Sequence, residues 1–194
     1  MRVLVACEYS GKVRDAFIAR GHDAISCDLL PTDAPGPHNQ GDVIALLESL
    51  PDGYFDLIIA HPECTKLCVS GNRWYGIGMP KHKERLESAE WTERFWDLAK
   101  RKAKRVCFEN PVGVLPKLTR MGKPQYIQPW QFGHGETKKT GLWLWNLPPL
   151  EPTNIVDGRE QRIWKLPPSA DRWKIRSETL QGIADAMAET WGRL

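Results

Sequence analysis

Long apolar runs are missing from this chain of 194 residues. None approaches the ~20 residues that cross a bilayer, so a membrane span is not expected. The N-terminus opens at once on a strand-like run, Val3-Leu4-Val5-Ala6, without the apolar stretch of a secretory leader, and an intracellular, cytoplasmic location is the expectation. There are only five cysteines, and they do not repeat a Cys-x-x-Cys pair. Cys64 and Cys68 stand four apart with no second pair to complete a zinc site, so free thiols and no metal are expected. A Gly-x-Gly-x-x-Gly turn is absent, as are internal repeats and low-complexity tracts. Charge of one sign is scarce too, at a formal net +3. Net charge alone therefore says little about nucleic acid.

What is present is a globular composition, 41% hydrophobic, of a length suited to one domain with a proper core. The basic residues are clustered. Arg94, Lys100, Arg101, Lys102, Lys104 and Arg105 crowd one region, which reads as the solvated face of a helix. Lys138 and Lys139 form a second point. Arg159, Arg162, Lys165, Arg172, Lys174 and Arg176 load the C-terminal third, where the interleaved Trp164 and Trp173 make a nucleic-acid surface the better reading. Nine tryptophans are many for this length. Trp91, Trp96, Trp143 and Trp145 fall in periodic segments and are expected in the core. Trp74, Trp164 and Trp173 fall in loop-like surroundings, where stacking on a base competes with packing under loops.

Hydrophobic periodicity predicts strands at 2–7, 23–27, 55–60 and 105–108, and helices at 11–20, 43–50 and 82–103. Residues 31–40 read as a Pro/Gly-rich loop. Later strands are expected at 128–132 and 141–145, as an antiparallel pair at one edge, and a helix at 181–191 closes the chain. Strands alternating with helices predict an α/β fold, a doubly wound and mostly parallel sheet. In such sheets ligands bind at the carboxyl ends of the strands. Those ends carry Cys7-Glu8, Asp28, His61-Pro62-Glu63-Cys64 and Glu109-Asn110.

Taken singly, each of these residues has a plain alternative. Cys7 to Gly11 can be a cofactor turn, with Gly11 letting the backbone approach a ligand, or an ordinary strand-to-helix turn. Asp28 can accept from a ribose diol or sit in a surface turn. Asp42 can accept from an adenine amino group or cap the helix that follows. Cys64, past a buried strand among polar neighbours, is where a reactive thiol would stand, yet cysteine is also a common core residue. Glu109 leaves a hydrophobic strand, where a raised pKa would make it a proton donor, or it is an ion-pair residue.

In order along the chain, Gly11 with its helix, Asp28, Gly41-Asp42-Val43, the segment from Pro62-Glu63-Cys64 to Ser70-Gly71, and Glu109-Asn110-Pro111 resemble the motifs of the cytosine-5 DNA methyltransferases. The segment at Cys64 resembles that family's Pro-Pro-Cys-Gln loop, and Glu109-Asn110 its Glu-Asn-Val. Phe132-Gly133 to Lys138-Lys139 is similar to its Gln-x-Arg-x-Arg segment. The whole chain resembles short phage-encoded proteins of this type, which carry His-Pro-Glu-Cys-Thr and the run seen at 138–145.

The resemblance implies a class I methyltransferase fold, S-adenosylmethionine as cofactor, and duplex DNA with a flipped cytosine as partner. It implies no membrane partner and favours a monomer. It implies Cys64 as the attacking thiolate on ring C6, with Glu109 holding N3 and the amino group. Cys7, Glu8, Tyr9, Ser10, Gly11, Asp28, Asp42 and His61 would line the cofactor. Pro62, Trp74, Asn110, Lys138, Lys139, Arg162 and Trp164 would meet the base or the DNA. Glu63 stands where the family has Pro, which makes it a further catalytic candidate, with Lys66 or His61 to balance its charge. The implied division is a catalytic core at 1–147, a reduced target-recognition insert at 148–180 and a closing helix at 181–194. Two other functions remain open: methylation of the exocyclic amino nitrogen, with Trp74 or Tyr75 stacking the base, and a non-catalytic DNA-binding domain.

Overall fold

The computed structural model describes Met1–Leu194. Seven strands form one sheet: β1 (Arg2–Ala6), β2 (Asp23–Asp28), β3 (His38–Gln40), β4 (Phe55–Ala60), β5 (Ala103–Pro111), β6 (Gln125–Ile127) and β7 (Thr140–Trp145). Their order across the sheet is β3-β2-β1-β4-β5-β7-β6. The first five run parallel; β7 is antiparallel to β5 and to β6. The helices packed on the sheet are α1 (Lys12–Ile18), α2 (Val43–Glu48), α4 (His82–Lys102) and α8 (Gln181–Trp191). The others are α3 (Asn72–Tyr75), α5 (Leu115–Leu118), α6 (Arg162–Lys165) and α7 (Arg172–Ser177).

Alternating side chains of the central strands feed two separate cores. Val3, Val5, Leu57, Ile59, Cys107 and Leu142 meet Val13, Phe17, Ile183, Met187 and Trp191 of α1 and α8 on one face. Leu4, Ile58, Ala60, Val106 and Phe108 meet Leu47, Phe95, Trp96 and Ala99 of α2 and α4 on the other. Both faces are covered, which is why β1 and β4 read as unbroken apolar runs. No helix is long and apolar enough to cross a membrane.

Four expectations are corrected. The loop at 31–40 contains β3, a three-residue edge strand whose partly exposed His38-Asn39-Gln40 leaves no apolar signature. The strand expected at 128–132 lies earlier, at β6, because Pro129 opens a 3₁₀ turn and Gln128 and Gln131 bond each other's backbone there. Trp91 is partly exposed on α4 and Trp145 half-buried, whereas Trp96 and Trp143 are core. The segment 148–180 carries α6 and α7, which short amphipathic periodicity does not reveal.

Arg14, on α1, is wholly buried. Its guanidinium reaches across to the β2–β3 connection. It donates to Ser26 Oγ and Thr32 Oγ1 at 3.2 Å, to the Ala34 carbonyl at 3.1 Å and to the Pro35 carbonyl at 3.2 Å, while Nε meets Asp15 at 2.7 Å. A Cβ at Gly11 or Gly36 would come within 2.5 or 2.7 Å of this group. Gly11, at a left-handed φ of 76°, thus also admits Arg14 and Ala34, a packing reason for glycine beside its reading as a point of ligand approach. Glu8, also buried, caps α1 by accepting from Val13 N at 2.7 Å and Arg14 N at 3.3 Å. Arg14→Met would strand several acceptors of the 32–37 loop. It is expected to cost about 3 kcal/mol or more, which lowers Tm by roughly 6–12 °C in a domain of this size, as thermal melts followed by circular dichroism will show.

Candidate active site

The carboxyl edge of the parallel strands gathers most of the predicted residues, in two halves. One half lies over β1, β2 and β3. Cys7 follows β1 in a left-handed conformation, φ 57°, that costs a non-glycine residue about 1–2 kcal/mol. Its thiol is buried, and burial with the nearby Asp28 carboxylate pushes its pKa far up. Asp28 accepts from Leu30 N through Oδ1, and Asp42 caps α2 by accepting from Ala45 N, both at 2.9 Å. Each Asp keeps its second oxygen uncommitted. Two carboxylate oxygens at neighbouring strand ends, flanking Cys7, suit a ribose diol and an adenine amino group, so the donor set fits a nucleoside-bearing cofactor. Glu8, engaged as a helix cap, and Ser10, which donates to it at 3.3 Å, belong to the scaffold of that turn.

The second half lies over β4, β5 and β7. The loop after β4 is irregular and is held from two sides. Arg85 of α4, buried, donates through Nε to the Lys66 carbonyl at 2.6 Å, through Nη1 to Asn72 Oδ1 at 2.7 Å and through Nη2 to the Cys68 carbonyl at 3.3 Å. From the β5 side, Val69 N bonds Val112 O, and Val114 N bonds Leu67 O. Gly113 lies so close that a Cβ there would meet the Leu67 carbonyl at 2.1 Å. Asn110, 1% exposed, donates to the Pro62 carbonyl at 2.9 Å. Asn110 and Pro62 are therefore placed to fix the loop rather than to meet DNA.

Cys64 and Cys68 are joined by an i→i+4 backbone bond of 2.9 Å, and their thiols influence each other's ionisation. The two sulfurs share one charge, which belongs on Cys68. Its pKa is lowered to about 5, first by the Cys64 thiol, against burial, and then by the Ser70 hydroxyl at 3.0 Å and the amides of Gly71 and Ser70. The same contact, with burial and the Glu109 carboxylate, pushes Cys64 far up. In the resting pair the charge is thus favoured on Cys68, beside the expected nucleophile Cys64. Cys64 is the more exposed of the two and the one that faces Glu109 and Lys138.

Glu109 was expected to have a raised pKa. Burial does push it up, but His61, Lys138 and Thr140 outweigh burial and hold it below the usual carboxylate range. His61 Nδ1 lies 3.3 Å from Glu109 Oε2. On its far side Glu109 lines a cavity of about 10 Å³ with Lys138, Thr140, Thr179 and Leu180, room for about one water. Lys138 also donates to the Glu178 carbonyl at 3.1 Å.

Other expectations fall outside this cluster. Glu63 is exposed and without a partner, and Lys66 pairs with Glu84 at 3.5 Å rather than with the thiols. Lys139 is exposed and lies over the Tyr126 ring, 4.5 Å from its centroid. Arg162 pairs with Glu136 at 2.9 Å and so pins the C-terminal segment. Trp74, Trp164 and Trp173 are exposed, Trp164 at 70%. Tyr9, buried, bonds the Lys174 carbonyl and Ser177, and tilts against Trp173. Arg14, Arg85, Cys68, Gly113, Thr140 and Thr179 did not stand out in the sequence. Only Arg85, a cation on the core-facing stripe of α4, left a detectable trace.

No protein-family model matches the chain, and no curated protein does. Among solved structures, it is similar to a prophage-encoded E. coli protein assigned as a DNA modification methyltransferase. The TM-score is 0.50 at 14% identity, over 86% of this chain and 55% of that one. A methyltransferase of Entamoeba histolytica also aligns, with a TM-score of 0.44 at 14% identity, over 88% of this chain and 61% of that one. The chain thus spans little more than half the length of the first. The likeness to the E. coli protein shows a shared fold.

The sulfur pair has a spectroscopic consequence. A depressed thiol pKa means thiolate is present above it and is lost as pH falls through it. An ultraviolet thiolate step near pH 5 is expected, absent in Cys68→Ser and shifted upward in Cys64→Ser. A titration showing no step below neutral pH would contradict the assignment.

Proposed function

We propose that this protein is an S-adenosylmethionine-dependent DNA methyltransferase that modifies cytosine at ring C5, through a covalent bond between Cys64 and a flipped base. The observation that carries the reading is the meeting of Cys64, Glu109 and Lys138 at the ends of β4, β5 and β7. They stand beside a strand edge whose carboxylates suit the cofactor, on a fold shared with a solved methyltransferase. Asp28 would hold the ribose, Asp42 the adenine, and the turn from Cys7 to Gly11 the methionine end. When bound, the cofactor supplies an electrophilic methyl group.

The chain's own residues supply the rest. Cys64 Sγ adds to C6 of the base, which makes C5 nucleophilic. Its proton passes along the shared sulfur contact to Cys68. Glu109, as a carboxylate, accepts from the cytosine amino group, and the Lys138 ammonium meets the negative charge that builds on the ring. The exposed Trp164 and Trp173, in a segment that also carries Arg159, Arg172 and Arg176, would form the DNA-contacting face of the insert at 148–180. The exposed Trp74 would stack on a base. With so short an insert, recognition of a short or relaxed sequence is expected.

A second reading, transfer to the exocyclic amino nitrogen, is favoured by one observation: Cys64 stays protonated at rest while Glu109 is ionised to accept an amino proton. Labelled methyl transfer to duplex DNA, followed by nucleoside mass analysis, decides. The ring-carbon reaction predicts 5-methylcytosine and a loss of at least about three orders of magnitude in Cys64→Ser. Full activity in Cys64→Ser with an N4-methylated product would transfer the case to the second reading. Absence of cofactor binding by calorimetry would favour a purely binding role.

A further inference from the structure

His61 is the residue whose environment the reaction above leaves unexplained. It follows β4 directly, and the β4–β5 register that pairs Ala60 with Phe108 brings position 61 beside position 109. Its side chain is 9% exposed and that of Glu109 14%. Glu109 is held as a carboxylate, which can only accept, so Nδ1 carries the hydrogen of the pair and Nε2 keeps its lone pair. Nε2 is buried and has no hydrogen-bond partner in the protein. A buried acceptor left unpaired is costly, and a histidine serving only to brace Glu109 would be better placed with that nitrogen satisfied or in solvent. Glu109, the partner of His61, stands among Cys64, Lys138 and Thr140, the residues of the proposed base site, rather than beside Asp28 and Asp42 of the cofactor half.

From this geometry we infer that His61 is a catalytic base: Nε2 takes the proton that the methyl group displaces from the cytosine. The inference rests on the methyltransferase reading and removes His61 from the cofactor-lining set. In the ring-carbon reaction the methylated C5 still bears its hydrogen. The C5–H bond breaks and the proton goes to Nε2. The electron pair restores the C5–C6 double bond, the C6–Sγ bond breaks, and Cys64 leaves as a thiolate. The imidazolium so formed is stabilised by Glu109 through Nδ1–H. If the methyl group goes instead to the amino nitrogen, the same atom accepts the N–H proton and no bond to sulfur is made.

The test uses the full chain, S-adenosylmethionine and duplex DNA tritiated at cytosine C5, with His61→Gln and His61→Asn, and a spectrum that needs no turnover. In ¹H–¹⁵N correlation spectra of the ¹⁵N-histidine protein, His61 is expected as the Nδ1–H tautomer; an Nε2–H tautomer overturns the inference. In single turnover, His61→Gln is expected to slow tritium release about 10²–10⁴-fold. It should also accumulate a detergent-stable protein–DNA adduct that already carries the methyl group. A substitution that merely loosened the fold would lower adduct and product together, which also overturns the role. Where the product is the N4-methylated base, support is the same loss in methyl transfer itself, without adduct. A methylating wild type with an indifferent His61→Gln overturns this role alone. A wild type that methylates no base overturns the methyltransferase reading and the role together.

Discussion

Two irregular loops at the carboxyl edge of the sheet depend on buried guanidinium groups. Arg14 gathers Ser26, Thr32 and the carbonyls of Ala34 and Pro35, and so shapes the connection after β2. Arg85 gathers the carbonyls of Lys66 and Cys68 with Asn72, and so shapes the loop after β4. Neither loop has a sheet ladder to satisfy its carbonyls, and an unpaired buried carbonyl is costly. A planar, five-donor group answers several at once from a fixed geometry, which a lysine would not do. One arginine rises from α1 and the other from α4, on opposite faces of the sheet. The two halves of the candidate site are therefore braced separately.

Within the base half, charge is arranged rather than accumulated. A buried carboxylate, a lysine, a histidine and two thiols share a small volume, yet each ionisation has an assigned partner. Glu109 is ionised because His61, Lys138 and Thr140 outweigh its burial. The thiol pair carries its charge on Cys68, where the Cys64 thiol, the Ser70 hydroxyl and neighbouring amides favour the charged form. In the proposed reaction Cys64 is the sulfur that meets the base, with Cys68 to take its proton and Lys138 as the nearby cation.

The C-terminal segment leans over both halves. Lys174 pairs with Asp33 and Lys12 with Glu178, each at 2.7 Å, while Lys138 bonds the Glu178 carbonyl. Tyr9 bonds the Lys174 carbonyl, and Thr179 faces Glu109 across the small cavity. The salt bridges are partly exposed, and pairs of that kind contribute little to stability. In the proposed reaction, this segment would have to give way before a flipped base could reach Glu109.

Periodicity and composition determined the α/β class, the central strands, the long helix expected at 82–103 and the positions of Asp28 and Cys64 at strand ends. These follow from local pattern, because a doubly covered sheet demands apolar runs and its chain direction puts the polar ends on one edge. What only the tertiary structure decided depends on distance across the fold. The three-residue β3, too polar to show a pattern, is defined by pairing with β2. The packing reason for Gly11 follows from Arg14 filling the space beside it. The charge on Cys68 rather than Cys64 depends on the neighbours of one sulfur. The low pKa of Glu109, and the proposed duty of His61, depend on two strand ends lying in register. A sequence names the residues that can ionise, but which of them carries a charge is set by neighbours that only folding brings within a few ångströms.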